Sequence, residues 1–249
     1  MSIQFNDTTN FKGLVQMYEK EIGESRGYIS SNTNRLKEFT ADVNVAWDDY
    51  LHLALMSSGR WQFDDSNHTG DAIYKVNLVS GTSEYPLTND ETDSALILDV
   101  LRVAILQSAT ATVYEDIYPI DEQSDPIPGT LLSESSDNSV PLYYDKTGNT
   151  LKLNPTPNYN ATDGLKVYIN REPSYFADTD TTKVPGCRGT HHKYFALKPA
   201  LEYARRNNLA TYNVLDREVQ KLEKVIVADY TSRARDERTI LKPKKINYI

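Results

Sequence analysis

Helical periodicity occupies the two ends of this chain and is missing from its middle, and that order restricts the fold more than any single residue does. From Asn32, the side chains Leu36, Phe39, Val43, Ala46, Trp47, Tyr50 and Ala54 recur at three- and four-residue spacing until Gly59. This predicts one long amphipathic helix with Trp47 on its core face. A shorter helix is expected before it, capped by Asn10, running from Phe11 to about Ile22 and stopped by Gly23. The pattern returns at Thr190, expected as the cap of a run containing Tyr194, Leu197, Leu201 and Ala204, in which Pro199 should kink the helix or shift its start. A last helix carries Val214, Leu215, Val219, Leu222, Ile226 and Tyr230 on its inner face.

Between these ends the period changes. Segments around Ile73–Val79, Glu84–Leu87, Ile97–Leu106, Thr112–Ile120, Leu142–Tyr144, Thr150–Leu153 and Leu165–Asn170 read as short strands separated by Gly, Pro, Asn and Ser clusters. Many short strands with turns between them predict an antiparallel sandwich or barrel. Lys146-Thr-Gly-Asn is a hairpin turn, and Ser124–Ser139 is a long polar loop. The fold class is α+β: helices from both termini form a bundle, an antiparallel β-sandwich or barrel lobe is inserted between them, and an extended C-terminal arm follows. The expected division is 1–59 and 179–237 for the helical domain, 60–178 for the β lobe and 238–249 for the arm.

Composition narrows the setting. The 249 residues are 39% hydrophobic, enough for one principal core and a satellite. Seventeen tyrosines against six phenylalanines favour half-wet surfaces such as interfaces. The lone Cys187 excludes an internal disulfide, the N-terminus has no secretory pattern, and no apolar run is long enough to span a membrane, so the expected compartment is a reducing cytoplasm. The net charge of −8 is unevenly spread: Lys198–Lys245 holds twelve basic and seven acidic residues, leaving −13 on the rest. Gly81–Val140 has twelve acids against Arg102 alone, a surface that cannot replace the counterions of a nucleic-acid backbone.

Several residue groups invite chemistry. Cys187, His191 and His192 lie within six positions, but adjacent histidines at a helix start point apart and the spacing matches no zinc motif. Asp64-Asp65 and Asp121-Glu122 are acidic pairs of the kind glycoside hydrolysis uses, yet sequence neighbours seldom face one another, and for Asp64-Asp65 a cap on local backbone amides is the stronger reading. Asp178-Thr-Asp180 lacks the glycine and closing glutamate of a calcium loop. No nucleophile elbow, phosphate loop or dinucleotide fingerprint occurs, so neither an enzyme nor a cofactor is expected. The tail Lys242-Pro-Lys-Lys245, followed by Ile246, Tyr248 and Ile249, has too few cations to hold a duplex and suits docking on an acidic neighbour.

Three segments together resemble the bacteriophage head-to-tail adaptor, or connector, family that includes the tail tubular A proteins. They are the opening helix pair leading into Trp61-Gln-Phe-Asp-Asp; the run from Pro141-Leu-Tyr-Tyr-Asp-Lys-Thr-Gly-Asn-Thr-Leu-Lys-Leu-Asn-Pro-Thr-Pro to Val167-Tyr-Ile-Asn-Arg-Glu-Pro-Ser-Tyr-Phe; and the helix introduced by Val184-Pro-Gly with Ala200-Leu-Glu-Tyr-Ala inside it. The closing Ser232-Arg-Ala-Arg-Asp-Glu-Arg is also similar. The resemblance implies a virion structural protein at the neck, assembled in the host cytoplasm into a ring of about twelve copies beneath the portal. It also implies portal, tail or neck proteins and further copies of the chain as partners, with DNA passing through the channel without specific binding. The arm residues Lys242, Lys244, Lys245, Ile246, Tyr248 and Ile249 would dock on the portal or a neighbour. The competing expectation is a carbohydrate- or receptor-binding β module of a tail, which exposed tyrosine platforms would favour; a hydrolase using the β-lobe acids is a third.

Overall fold

The computed structural model describes residues 2–57, 63–90, 92–120 and 138–233. The chain divides into two compact units, one made of 1–61 with 175–249 and the other of 62–174. The architecture is mixed α and β, with four helices and one seven-stranded sheet among the described residues.

In the first unit, α1 (Leu14–Glu21) and α2 (Thr33–Ser57) come from the N-terminal part, and α3 (Tyr194–Arg206) and α4 (Tyr212–Arg233) from the C-terminal part. α3 packs on each of the other three helices, and α2 also packs on α4. The inner faces meet in an aromatic core in which Trp47 lies 4.5 Å from the Phe195 ring and edge-on to Tyr50. The N-terminal strand of chain is tied to the returning segment: Phe5 N–H donates to Lys183 O, Asn6 N–H to Thr181 O, and Phe5 stacks on Phe176 at 4.7 Å. Asn44 completes the tie by mimicking a peptide, donating to Phe176 O at 3.0 Å and accepting from Phe176 N–H at 2.9 Å.

Helix ends follow backbone accounting. Asn32 caps α2 by accepting from Asn34 and Arg35 N–H. Gly23, at φ 80, ends α1 in a Schellman motif, with Glu24 N–H donating to Glu19 O and Gly23 N–H to Lys20 O. Two expected starts are corrected. α1 begins at Leu14 rather than Phe11, because Phe11 is left-handed at φ 57 and Asp7 holds the amides of Thr9 and Asn10 in a separate turn. α3 begins at Tyr194 rather than just after Thr190; tight turns through His191 and His192 precede it, and Pro199 lies within the helix. Val214, expected on the inner face of α4, is 60% exposed, while Leu215, Val219, Ile226 and Tyr230 are buried.

The second unit is one sheet in the order β1 (Ile73–Leu78), β7 (Ala161–Arg171), β3 (Ile97–Leu106), β4 (Tyr114–Pro119), β5 (Tyr143–Thr147), β6 (Thr150–Asn154) and β2 (Glu84–Pro86). It curls around a single core to which every strand contributes, including Leu78, Tyr85, Val103, Ile105, Ile117, Tyr144, Leu151, Leu165, Val167 and Ile169. The sheet is nearly closed. Across the gap between its end strands, Tyr74 Oη–H donates to Pro86 O at 3.1 Å, and Tyr85 Oη accepts from Val79 N–H at 3.2 Å. Side-chain hydrogen bonds thus span the gap between the two end strands.

The expectation of a purely antiparallel sheet is corrected: β4 and β5 are parallel, with Tyr118 opposite Tyr143. Parallel neighbours need a connection of a dozen residues or more, and residues 120–142 supply that length where a hairpin could not. Most of the expected Ser124–Ser139 loop and the expected helix stop at Gly59 lie outside the described residues. The β5–β6 hairpin turns at Gly148, whose φ of 60 suits the first loop position of a type II′ turn. The tyrosines are less superficial than composition implied. Tyr18, Tyr50, Tyr74, Tyr85, Tyr144, Tyr194 and Tyr230 are buried, and those of Tyr50, Tyr74 and Tyr85 satisfy their hydroxyls internally.

Candidate functional site

The acidic pair at the start of the β unit forms part of a clasp. The inward-facing side chains of β7 are Leu165, Val167 and Ile169, and the next residue of the same parity is Arg171, whose guanidinium ends this row 1% exposed. Asp64 accepts from its Nε and Nη2, each at 3.0 Å; Asp90 and Asp93 accept from Nη1; and Gly70 O accepts from Nη2 at 2.6 Å. All five guanidinium protons therefore have oxygens to meet, the condition under which a buried arginine is tolerated. Asp65, also buried, accepts from Asn67 N–H at 2.8 Å and from Ser174 N–H at 3.0 Å. His68 donates through Nε2 to Glu172 O at 2.9 Å. The segments by which the chain begins and leaves this unit, 63–68 and 170–174, are fastened to each other at three successive levels.

The electrostatics follow from these partners. Burial opposes ionisation of Asp93, but the hydroxyl and amide of Thr69, the Gly70 amide and Arg171 outweigh it and hold the carboxyl well below the ordinary aspartate range. Burial dominates at Asp65 and raises its pKa despite the amides it accepts. Asp93 thus contributes stability that is present above the ordinary aspartate pKa and lost as pH falls towards its depressed value.

His191 and His192, which both lie beside Cys187 and its partners, make two different sets of structural hydrogen bonds. His191 lies between Asp229 Oδ2, 2.9 Å from Nε2, and Tyr50 Oη, 2.9 Å from Nδ1; Tyr50 Oη in turn lies 3.0 Å from Tyr230 Oη. With Nε2 protonated, the donors run from Tyr230 through Tyr50 to His191 and end on a carboxylate that Arg188 also engages. Burial pushes the Tyr50 pKa far up and keeps the hydroxyl neutral. His192 accepts from Ile3 N–H at Nδ1 and donates from Nε2 to Cys187 O. Among the described residues no group of three or more His, Cys, Asp or Glu side chains could hold a metal ion.

Burial lowers the His192 pKa below the usual imidazole value. A histidine kept neutral by the fold contributes stability that is full above about pH 6.5 and is lost as pH falls through its folded pKa. The urea midpoint should therefore drop between pH 7 and pH 5. His192→Gln, which retains one donor and one acceptor, should flatten that drop when both proteins are titrated in parallel.

Asp180 accepts from Ala177 N–H at 2.9 Å in a local turn and lies 3.8 Å from Lys183 Nζ. Asp121, Glu122 and the arm residues Lys242, Lys244, Lys245, Ile246, Tyr248 and Ile249 lie outside the described residues. The rings that might have formed a sugar platform are largely engaged: Lys166 lies over Tyr114 and Tyr168, and Arg102 over Tyr168. Tyr118, by contrast, is 67% exposed. None of the helices described is long and apolar enough to cross a membrane. Neither a protein-family model nor a curated protein matches the chain.

Arg171 is the residue that sequence reasoning missed. Its signal was parity: an arginine at the position where an alternating inward row calls for another aliphatic side chain, in a chain whose surrounding loops supply Asp64, Asp90 and Asp93.

Proposed function

We propose that this protein is a phage head-to-tail adaptor: a virion structural component, without enzymatic activity, that forms a ring below the portal and joins the DNA-filled head to the tail. In this reading the helices of both chain ends form a bundle, the β unit is an inserted lobe, and residues 238–249 form an arm that docks on the portal or a neighbouring copy. One observation carries it. Two of the segments that bear the likeness to adaptors, the one ending in Phe63-Asp64-Asp65 and the one containing Asn170-Arg171-Glu172-Pro173-Ser174, come together as the clasp of the β unit. Residue types that look degenerate in sequence thus have a shared job, which is to close an inserted unit at the point where the chain starts and leaves it. The acidic β unit further suits a channel through which DNA passes without adhering, since a like-charged surface repels the backbone over about 8 Å at physiological salt.

The arm is tested by binding. Purified portal rings from the same phage should capture the protein in a pull-down. Deletion of Lys244–Ile249 should weaken that capture about tenfold or more while leaving the circular dichroism spectrum unchanged. Equal capture by the truncated protein would refute a docking role for the arm, and no capture of the full chain would count against the adaptor reading itself.

A further inference from the structure

The outward face of α4 carries an uncommon combination. Val214, Arg217, Lys221, Lys224, Val225 and Ala228 follow one another at three- and four-residue steps, with Lys224 and Val225 sharing a level, and all are exposed; Val214 is 60% and Val225 46% open. None of the three cations has an ion-pair partner among the described residues, although elsewhere in this unit Lys193, Lys198, Arg188 and Arg206 are paired. A helix face that mixes unpaired cations with bare valines, and has no acid among those six positions, suits an anionic protein surface better than a nucleic-acid backbone, which offers the valines nothing to bury against.

The β unit of the same chain is acidic, with eighteen Asp and Glu against six Lys and Arg over residues 62–174. In the β unit Glu84 and Glu115 are exposed with no cation paired to them among the described residues, whereas the exposed Asp99 and Asp116 are paired with Lys146 and Arg102; Leu96, Leu98, Val113 and Tyr118 are exposed apolar side chains of the same unit. Asp90 and Asp93 are taken up by Arg171 and do not contribute. We propose that the outward face of α4 is a docking surface for the acidic β unit of a second copy. Because the two surfaces are different patches of one chain, the contact is heterologous and repeats head to tail, closing into a ring where the rotation permits. The inference rests on the ring reading above and names one contact through which such a ring would be built.

The test uses the full chain. Equal amounts of 14N- and 15N-labelled protein are mixed at low salt and treated with a zero-length carbodiimide, which joins a lysine amine only to a carboxylate in contact with it. Mixed-isotope peptide pairs linking Lys221 or Lys224 to Glu84 or Glu115 are expected. In sedimentation velocity, Lys221→Glu/Lys224→Glu should raise the self-dissociation constant about tenfold or more, with an unchanged melting curve. Self-association that survives the double reversal, or mixed pairs that avoid α4, would overturn this contact and leave the ring reading standing on some other interface. A protein that is monomeric at every concentration would also overturn it, while portal capture would still decide the adaptor reading separately.

Discussion

Arg171→Leu should destabilise the β unit by about 3–5 kcal/mol, a large share of the roughly 5–15 kcal/mol that keeps a typical protein folded. The substitution removes the guanidinium that answers Asp64, Asp90 and Asp93 and leaves Asp90, whose side chain is fully shielded from water, as an uncompensated buried charge. Most of the loss is that stranded charge, not the net worth of the pair. Asp90→Asn on the Arg171→Leu background should therefore recover part of it, so that the double variant is more stable than the sum of the single changes. Hydrogen exchange read by mass spectrometry locates the effect. Protection should fall in peptides covering 97–106 and 161–171 and persist in those covering 33–57, because the clasp lies wholly in the second unit. Uniform loss across the chain would mean that the two units fold only together.

Trp47→Ala should have an effect of similar size in the other unit, about 3–5 kcal/mol, by removing a fully buried indole from the meeting point of α2 and α3. Trp47 packs against Tyr50 and Phe195, and Tyr50 hydrogen-bonds to His191 and Tyr230, so the cavity would also loosen the polar chain that ties α2 to α4. Val45→Ala, two positions away on the exposed face of the same helix, should change stability by no more than about 0.5 kcal/mol. Denaturant midpoints of the three proteins check both statements, and a comparable loss in Val45→Ala would show that this face is covered.

The sequence pattern and the structure agree where a single local cause sets the outcome. Alternation and turn residues bound the Ile97–Leu106 strand at its observed ends, and Gly148 fixes the β5–β6 hairpin by its φ alone. The long helix from Asn32 was legible because a cap and an apolar stripe coincide. Where partners distant in sequence decide, the pattern ran out. Nothing local marks β4 and β5 as parallel, since that follows from how a long connection returns the chain. α1 starts after Gly13 because Phe11 is left-handed and Asp7 gathers the amides of Thr9 and Asn10 into a separate turn ahead of it. Asp64 and Asp65 were readable as amide caps or loop acids, but the guanidinium that Asp64 closes upon and the Ser174 amide that Asp65 takes both lie more than a hundred residues away. Only the parity of β7 hinted that Arg171 turns inward. The valines and cations of α4 were visible as letters, whereas their common exposed face required the packing of α2 and α3 on this helix to be known.

The adaptor reading is tested most directly on particles. Antibodies raised against the purified protein, applied with gold label to intact virions of the source phage, should mark the junction of head and tail by electron microscopy. Label at the distal tip of the tail would contradict the reading in favour of receptor binding, and absence of the protein from purified particles by immunoblot would contradict a structural role altogether.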